Sequence, residues 1–370
     1  MLGDLDLIAP LGRSGIPCVA VAERGAPVHR SRYVHGSIDL LPTWQEPAAM
    51  VERLVQAAGD APAPPVLFYQ GDPDLLLVSR FRRQLAPALR FVVADADLVE
   101  DLVDKARFAA LAERTGLDVP ATLVISPGST LPGPGAVPFP AIAKPALRSS
   151  ERWTPQAGGA KAMAVGSYRE LEALWARFEP EGVGLIVQEL VDGPESAVES
   201  YHVYVDDGRE IAGEFTGRKI RTRPLAYGVS SAVEVVDLPD VRREGRRITE
   251  RLGLTGVAKL DFKRADGGRL RLLEINARFN LWHLPGALAG VNLPALVYAD
   301  LTHTRRPPVR PVTTPVRWVK PWHDVIAAHD SGLAYHRWAM FALGCRAKSA
   351  VSWRDPAATL AALRYGLGHR

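Results

Sequence analysis

Between residues 4 and 100 the apolar positions switch between a helical and an extended period. A helical stretch reaches Ser14, an apolar strand covers Pro17 to Ala22, and a second helix lies near Pro47 to Ala58. An extended run from Pro65 to Tyr69, another helix and a strand from Phe91 to Ala94 follow. Strands alternating with helices at this spacing predict a parallel sheet with helices on its faces. Such folds open with a strand and a Gly-rich turn, whereas Met1-Leu2-Gly3-Asp4 already stands at the turn. Either the opening strand is missing from this sequence or the sheet is one strand short.

A helical segment from about Leu98 to Gly116 breaks at Gly116-Leu117-Asp118-Val119-Pro120 and leads into a smaller unit ending near Val187. Short strands Pro140 to Lys144 and Ala162 to Val165 flank a Ser-, Gly- and Pro-rich loop, 145–159, which is expected to move. From Gln188 the pattern lengthens into strands Val198 to Val205, Glu210 to Phe215 and Ser231 to Val236, a helix Val241 to Leu252 and two closing strands. After Arg305 come four prolines (Pro307, Pro308, Pro311, Pro315) and tryptophan-rich helical segments. The pattern divides the chain into an α/β unit (1–100), a linker helix and small unit (101–187), a larger antiparallel unit (188–305) and a helical extension (306–370). The expected class is mixed α/β and α+β.

The closing strands carry the chemistry. Lys259, Asp261 and Lys263 alternate with Ala258, Leu260 and Phe262, the period-two pattern of a strand with one wet face and one dry face. Asp266-Gly267-Gly268 then leads to a strand whose Leu270, Leu272, Glu274, Asn276 and Arg278 should share a face. Gly-Gly is a strong two-residue hairpin signal, because both central positions of that turn favour positive φ. With Gly267 and Gly268 as the turn, Asp261 lies opposite Glu274 and Lys259 opposite Asn276. Opposed like charges are destabilising, so a positive charge must compensate or one acid must take up a proton. A magnesium ion fits, because it takes oxygen ligands and is held by one or two carboxylates plus substrate phosphates; Asn276 adds a neutral oxygen. An exposed hairpin neutralised by Lys259, Lys263 and Arg278 is the plain alternative.

Composition narrows the class. At 370 residues, 47% hydrophobic and 23% charged, the chain has the profile of a folded globular protein of two or three units. No run approaches the length a membrane helix needs, and Met1 to Asp6 carries acids where a secretion signal carries bases. A cytoplasmic location is expected. The two cysteines, Cys18 and Cys345, offer no disulfide framework or metal pair. The formal charge of +4 comes without a block of like charges, which argues against a nucleic-acid tail. Only eight of the 45 basic residues are lysines, and six of those eight fall between residues 105 and 263. No G-x-x-x-x-G-K-[S/T] loop, G-x-G-x-x-G turn or H-E-x-x-H pair is present.

Asp261 with Leu273-Glu274-Ile275-Asn276-Ala277-Arg278 resembles the metal-binding end of the ATP-grasp superfamily, with the spacing of its D-alanine:D-alanine ligase branch. Ala277 replaces a proline common there and leaves the ligands untouched. The resemblance implies an ATP-grasp fold: an N-terminal parallel α/β domain, a small lid and a larger antiparallel catalytic domain. It also implies that Asp261, Glu274 and Asn276 hold two Mg²⁺ ions, with Mn²⁺ as a substitute, against ATP. Lys105 resembles the lysine entering the lid, and Lys144 the lid-strand lysine on the phosphates. In Leu185-Ile186-Val187-Gln188-Glu189-Leu190-Val191, the Gln188 side chain and the Glu189 and Val191 main chain would meet adenine, and Glu195 the ribose. The basic stretch with Lys219 and Arg221 resembles that of D-aspartate ligases and related carboxylate–amine ligases. So do Gly71-Asp72, Ser31-Arg32-Tyr33, Trp153 and Lys161-Ala162, with Lys161 taken to the nucleotide.

What this implies is an ATP- and Mg²⁺-dependent ligase joining a carboxylate to an amine through an acyl phosphate. Arg278 would hold the acceptor carboxylate, Lys259 would neutralise the transferring phosphoryl group, and the loop from Ala146 to Gly159 would close over the site. The expected partners are a small-molecule acid and amine, an amino acid or small peptide among them; a homodimer is an open assembly, and neither nucleic acid nor membrane is expected. Two other readings stay open: carboxylation with bicarbonate or phosphorylation of another acceptor, and a nucleotide-binding protein without catalysis.

Overall fold

A computed structural model describes residues 1–146, 153 and 162–368, with side chains placed up to residue 365. The expected loop from Ala146 to Gly159 lies almost wholly outside the described residues, and so does Lys161. Near the N-terminus β1 (Cys18–Ala22) pairs in parallel with β2 (Val34–Asp39). Leu2 forms parallel bridges to Val21 and to Tyr69, and Val66 bridges Arg90. Leu2 thus stands in the place of an opening strand, and the order across the layer is 34–39, 18–22, 2, 66–69, 90. That is the arrangement of a doubly wound sheet. The expected strands at Pro65 to Tyr69 and Phe91 to Ala94 survive only as such bridges, tied by Leu67 N–H to Arg90 O at 2.7 Å. Strand β2 escapes the hydrophobic pattern because it alternates half-buried with exposed positions around His35, Gly36 and Ser37.

A four-stranded antiparallel sheet follows, in the order β3 (Thr122–Ile125), β6 (Leu185–Glu189), β4 (Ala141–Pro145), β5 (Met163–Val165). The helix Tyr168–Phe178 covers it with Leu171, Leu174, Trp175 and Phe178, spaced to form one apolar stripe. Trp153 stacks on Phe178 with ring centroids 4.6 Å apart.

The largest sheet has seven strands in the order β11 (Leu270–Asn276), β10 (Gly256–Arg264), β7 (Val198–Val205), β8 (Ile211–Arg223), β9 (Val229–Val235), β12 (Val316–Val319), β13 (Ala347–Lys348). Every residue of β7 is buried. Tyr201 and Val203 face the helix Pro239–Arg251 and join Ala258, Leu260 and Phe262 in a core that continues into the N-terminal layer through Leu75, Val78 and Val99. The stretch after Arg305 is not purely helical as expected, since β12 and β13 extend the central sheet. The prolines around 307–315 hide β12, which begins at Val316 just after the last of them. Among the described residues no single helix is long and apolar enough to cross a membrane.

Candidate active site

The β10–β11 hairpin places the pairs expected from the sequence, by a route the sequence does not reveal. Lys259 pairs with Asn276 and Asp261 with Glu274. The connection is not a two-residue turn: a short 3₁₀ segment, Asp266–Gly268, is closed by Ala265 N–H to Arg269 O at 2.9 Å. Phe262 therefore pairs with Leu272, one position off the expected register, and a bulge at Leu273 restores it. A bulge re-aims side chains. Leu272 points into the core with Phe262, while Glu274 and Asn276 face the cleft, so Leu270 and Leu272 do not share their face as expected.

The opposed acids are compensated. Lys259 Nζ lies 2.6 Å from Asp261 Oδ2, and Ser200 Oγ on the neighbouring strand donates to Asp261 Oδ1 at 2.5 Å. Asn276 Nδ2 donates to Glu274 Oε1 at 2.9 Å. Glu274 is enclosed by dense protein yet reaches solvent through the open cleft. Enclosure alone would raise its pKa; Lys259 and the Asn276 amide overcome this, with Lys219 adding to them, and hold it well below the usual carboxylate range. Arg278 is clamped between Asp72 Oδ1 (2.5 Å) and Asn276 Oδ1 (3.0 Å). Asp72 sits in the first turn of the helix Asp72–Arg80, so this ion pair fastens the N-terminal layer to the central sheet.

These groups stand where two cavities meet. One, of about 630 Å³, lies between the four-stranded sheet and the central sheet. Lys105, Lys144, Gln188, Glu189, Val191 and Glu195 line it, and so do Lys219, Asp261, Glu274 and Arg278. The other, of about 730 Å³, lies between the N-terminal layer and the central sheet and shares Lys219, Asp261, Glu274 and Arg278 while adding Lys259 and Asn276. A larger hollow of about 1090 Å³, between the helix Pro239–Arg251 and residues 309–312, is lined by none of the candidate residues.

Two lysines reach the first cavity from opposite sides. Lys105 Nζ donates to Pro145 O at 3.3 Å and Lys144 Nζ to Gln188 Oε1 at 3.4 Å. Burial, then the like charge of Lys105, lowers the Lys144 pKa to about 8; burial also lowers that of Lys105. Two mutually repelling ammonium groups without a carboxylate ion pair among the described residues make a place for a polyanion. The Glu189 carboxylate turns away, accepting from Ala121 N–H at 2.9 Å and pairing with Arg271 at 3.0 Å.

Arg221 is not brought to this site. It makes a bidentate ion pair with the fully buried Asp324 (2.9 and 2.6 Å), which also accepts from Ser231 Oγ and Trp338 Nε1, and its guanidinium lies 4.4 Å from the Phe341 ring centroid. Its expected place beside the reacting centre gives way to fastening β8 to the C-terminal helices. Ser31 and Arg32 behave alike, binding Asp355 ahead of the helix Pro356–Gly368. Sequence reasoning missed the roles of Ser200, Asp72 and Tyr227-Gly228. Gly228 left a signal, since a Cβ there would stand 2.0 Å from Pro224 O, so only glycine lets this loop line both cavities.

The donor set suits a hard divalent cation. Among the described residues no three His, Cys, Asp or Glu converge as a metal cluster; the oxygens on offer are two carboxylates and one amide, the set expected for Mg²⁺ completed by phosphate and water.

Comparison with known proteins agrees with this geometry. A family model described as ATP-grasp in the biosynthetic pathway with Ter operon matches residues 181–321, which span β6, both strands of the Asp261–Glu274 hairpin and β12. A D-aspartate ligase from Enterococcus faecium (strain Aus0004) is 25% identical over 299 residues, 76% of this chain and 70% of the relative. The crystal structure of an L-amino acid ligase from Bacillus licheniformis matches with a TM-score of 0.62 at 16% identity, covering 84% of this chain and 75% of that one. That of an N5-carboxyaminoimidazole ribonucleotide synthetase from Thermus thermophilus matches with a TM-score of 0.58 at 16% identity, covering 84% and 78%. Residues 181–321 match an ATP-grasp family model, the fold is shared with ATP-grasp enzymes, and the chain resembles an ATP-dependent carboxylate–amine ligase of that superfamily.

Proposed function

We propose that this protein joins a small-molecule carboxylate to an amine at the expense of ATP, through an acyl phosphate. The observation that carries the reading is the placement of Asp261 and Glu274, opposed on one ladder, at the junction of a lysine-lined cavity and a second chamber. Kinship to a D-aspartate ligase supports it.

In this reading the first cavity takes the nucleotide. Lys105 and Lys144 hold phosphate oxygens, the main chain around Glu189 and Val191 meets adenine, and Glu195 meets the ribose. Asp261, Glu274 and Asn276 would hold Mg²⁺, which supplies charge neutralisation of the phosphates when bound. The acid substrate lies in the second chamber against Arg278, whose planar fork suits a carboxylate. A carboxylate oxygen attacks the γ phosphorus, the bond to the β-phosphate oxygen breaks, and ADP leaves. Lys219 and Lys259 flank that path and neutralise the moving charge, so positioning and electrostatics supply the acceleration. The neutral amine nitrogen then attacks the acyl carbon, the bond to the phosphate oxygen breaks, and phosphate departs with the electron pair and with the one proton the nitrogen loses, leaving the amide.

The test is incubation with ATP and Mg²⁺ across a matrix of acids and amines, following phosphate and ADP. Phosphate released only when both an acid and an amine are present supports ligation. ADP formed with a lone acceptor and no free phosphate would make the protein a kinase instead, and no turnover across the matrix would leave nucleotide binding alone.

A further inference from the structure

The side-chain oxygens of Asp261, Glu274 and Asn276 are unequally free. Ser200, itself fully buried, donates to Asp261 Oδ1 at 2.5 Å, and Lys259 Nζ stands 2.6 Å from Asp261 Oδ2. Asn276 Nδ2 donates to Glu274 Oε1, and Asn276 Oδ1 accepts from Arg278. No N–H or seryl hydroxyl of a described residue donates to Glu274 Oε2. Glu274 is also the exposed member of the set, whereas Asp261 and Asn276 are buried.

A hydrogen bond and a metal ion can share one carboxylate, but two cations on the same oxygen repel each other. Ser200 ties Oδ1 into the sheet, so Oδ2 is the oxygen Asp261 has for a ligand in the cleft, and the Lys259 ammonium already occupies it. Among the described residues Lys259 has no other ion pair. Its neighbours across the two ladders are Asn276 on β11 and His202 on β7, and burial, then the Lys259 charge, keeps His202 neutral. Lys219 lines both cavities without an ion pair among the described residues and adds a second positive charge. Asp261 and Glu274 thus face two lysines, while Arg278 is offset by Asp72. This group keeps no net negative charge with which to attract a dication unaided.

Resting on the ligase reading above, we propose that Lys259 is a built-in counter-ion that keeps the Asp261 metal position closed until nucleotide arrives. Nucleotide phosphate offers the ammonium a second anion. Lys259 leaves Asp261 for it, and the carboxylate is released when a phosphate-bound metal ion is there to take it. The position at Asp261 is thereby filled together with the nucleotide and not ahead of it, whereas Glu274 Oε2 is open throughout. One side chain serves twice: it relieves the repulsion of the opposed acids in the empty site, and it then neutralises the transferring phosphoryl group.

Titration of Mn²⁺ into the full chain reads the exchange through the resonance signal of free Mn²⁺, with and without ADP, taking ADP in protein-free buffer as the baseline. The parent should bind Mn²⁺ weakly alone and about tenfold or more tightly with ADP. Without nucleotide, Lys259→Met should bind Mn²⁺ about tenfold more tightly than the parent, the size expected when a directly competing charge is removed, and ADP should then add correspondingly less. Lys259→Arg keeps the cation and should keep the parent's dependence on ADP. Lys219→Met removes the same charge from the cleft but leaves Asp261 covered, so it should tighten nucleotide-free binding by about twofold at most. Lys259→Gln replaces Lys259→Met if that variant fails to fold. Equal binding by the parent with and without ADP, or nucleotide-free binding no tighter in Lys259→Met than in Lys219→Met, overturns the proposal. If Lys259→Met binds Mn²⁺ tightly alone but no acid and amine pair releases phosphate, the counter-ion role stands and ligation falls; if phosphate is released and the two variants bind Mn²⁺ alike, ligation stands and the counter-ion role falls.

Discussion

Removing the Lys259 ammonium would show what the opposed acids cost. In Lys259→Met the aliphatic stem is kept, but Asp261 loses the cation 2.6 Å away and faces Glu274 across the ladder. Two negative charges about 5 Å apart at an effective dielectric of about 20 repel by about 3 kcal/mol. Solvent in the open cleft, which reaches Glu274, reduces this to roughly half. At neutral pH the variant should therefore unfold with about 1.5 kcal/mol less stability. The loss should shrink as pH falls and one carboxylate takes up a proton, and millimolar Mg²⁺ should restore stability by binding the folded site. Glu274→Gln introduced on top of Lys259→Met should recover most of the loss, since it removes the repulsion without removing the shape. Urea unfolding at pH 5 and pH 7.5, with and without Mg²⁺, reads each term. A variant as stable as the parent at pH 7.5, with no response to Mg²⁺ or to the second substitution, would refute the reasoning.

Other consequences follow from single groups. Arg221→Ala should lower stability by about 3 kcal/mol or more, because it strands the buried Asp324 carboxylate, while leaving the KM for ATP unchanged in whatever fraction stays folded. Asp6, buried and accepting from Trp318 Nε1 and Ser349 Oγ, has its pKa raised to about 7 by burial and by Asp4. Its contribution to stability is thus full below about pH 4 and is lost as pH rises through about 7; Asp6→Asn should flatten that slope in urea midpoints taken from pH 4.5 to 7.5. Lys144, held near pKa 8 when free, should take up a proton when phosphate binds at pH 8.5 but not at pH 6.5. Calorimetry in buffers of different ionisation heat measures that uptake.

Much of the fold and of the site was legible because the sequence carries periodic signals there. Strand β7 coincides with the run read as Val198 to Val205, and the helix Pro239–Arg251 overlaps the one read from Val241 to Leu252. The hairpin register at Asp261 and Glu274 was read correctly for an incomplete reason. A longer connection shifts it by one residue and the bulge at Leu273 shifts it back, and neither departure leaves a mark in composition. Arg221 misled because a basic stretch beside the site reads alike whether its cations face substrate or a buried acid 103 positions further on. Tertiary partners of that kind, like Asp72 for Arg278 or Ser200 for Asp261, cannot be read from spacing. The C-terminal strands were hidden for a simpler reason: β12 has four residues, β13 two, and each finds its partner only through the sheet.

The central claim is that Asp261 and Glu274 jointly bind the metal–nucleotide complex. Electron paramagnetic resonance of Mn²⁺ with ADP tests it most directly. The parent protein should convert free Mn²⁺ into a bound signal, and Glu274→Gln, with an unchanged circular dichroism spectrum, should lose most of it. Bound Mn²⁺ undiminished in Glu274→Gln would contradict the account.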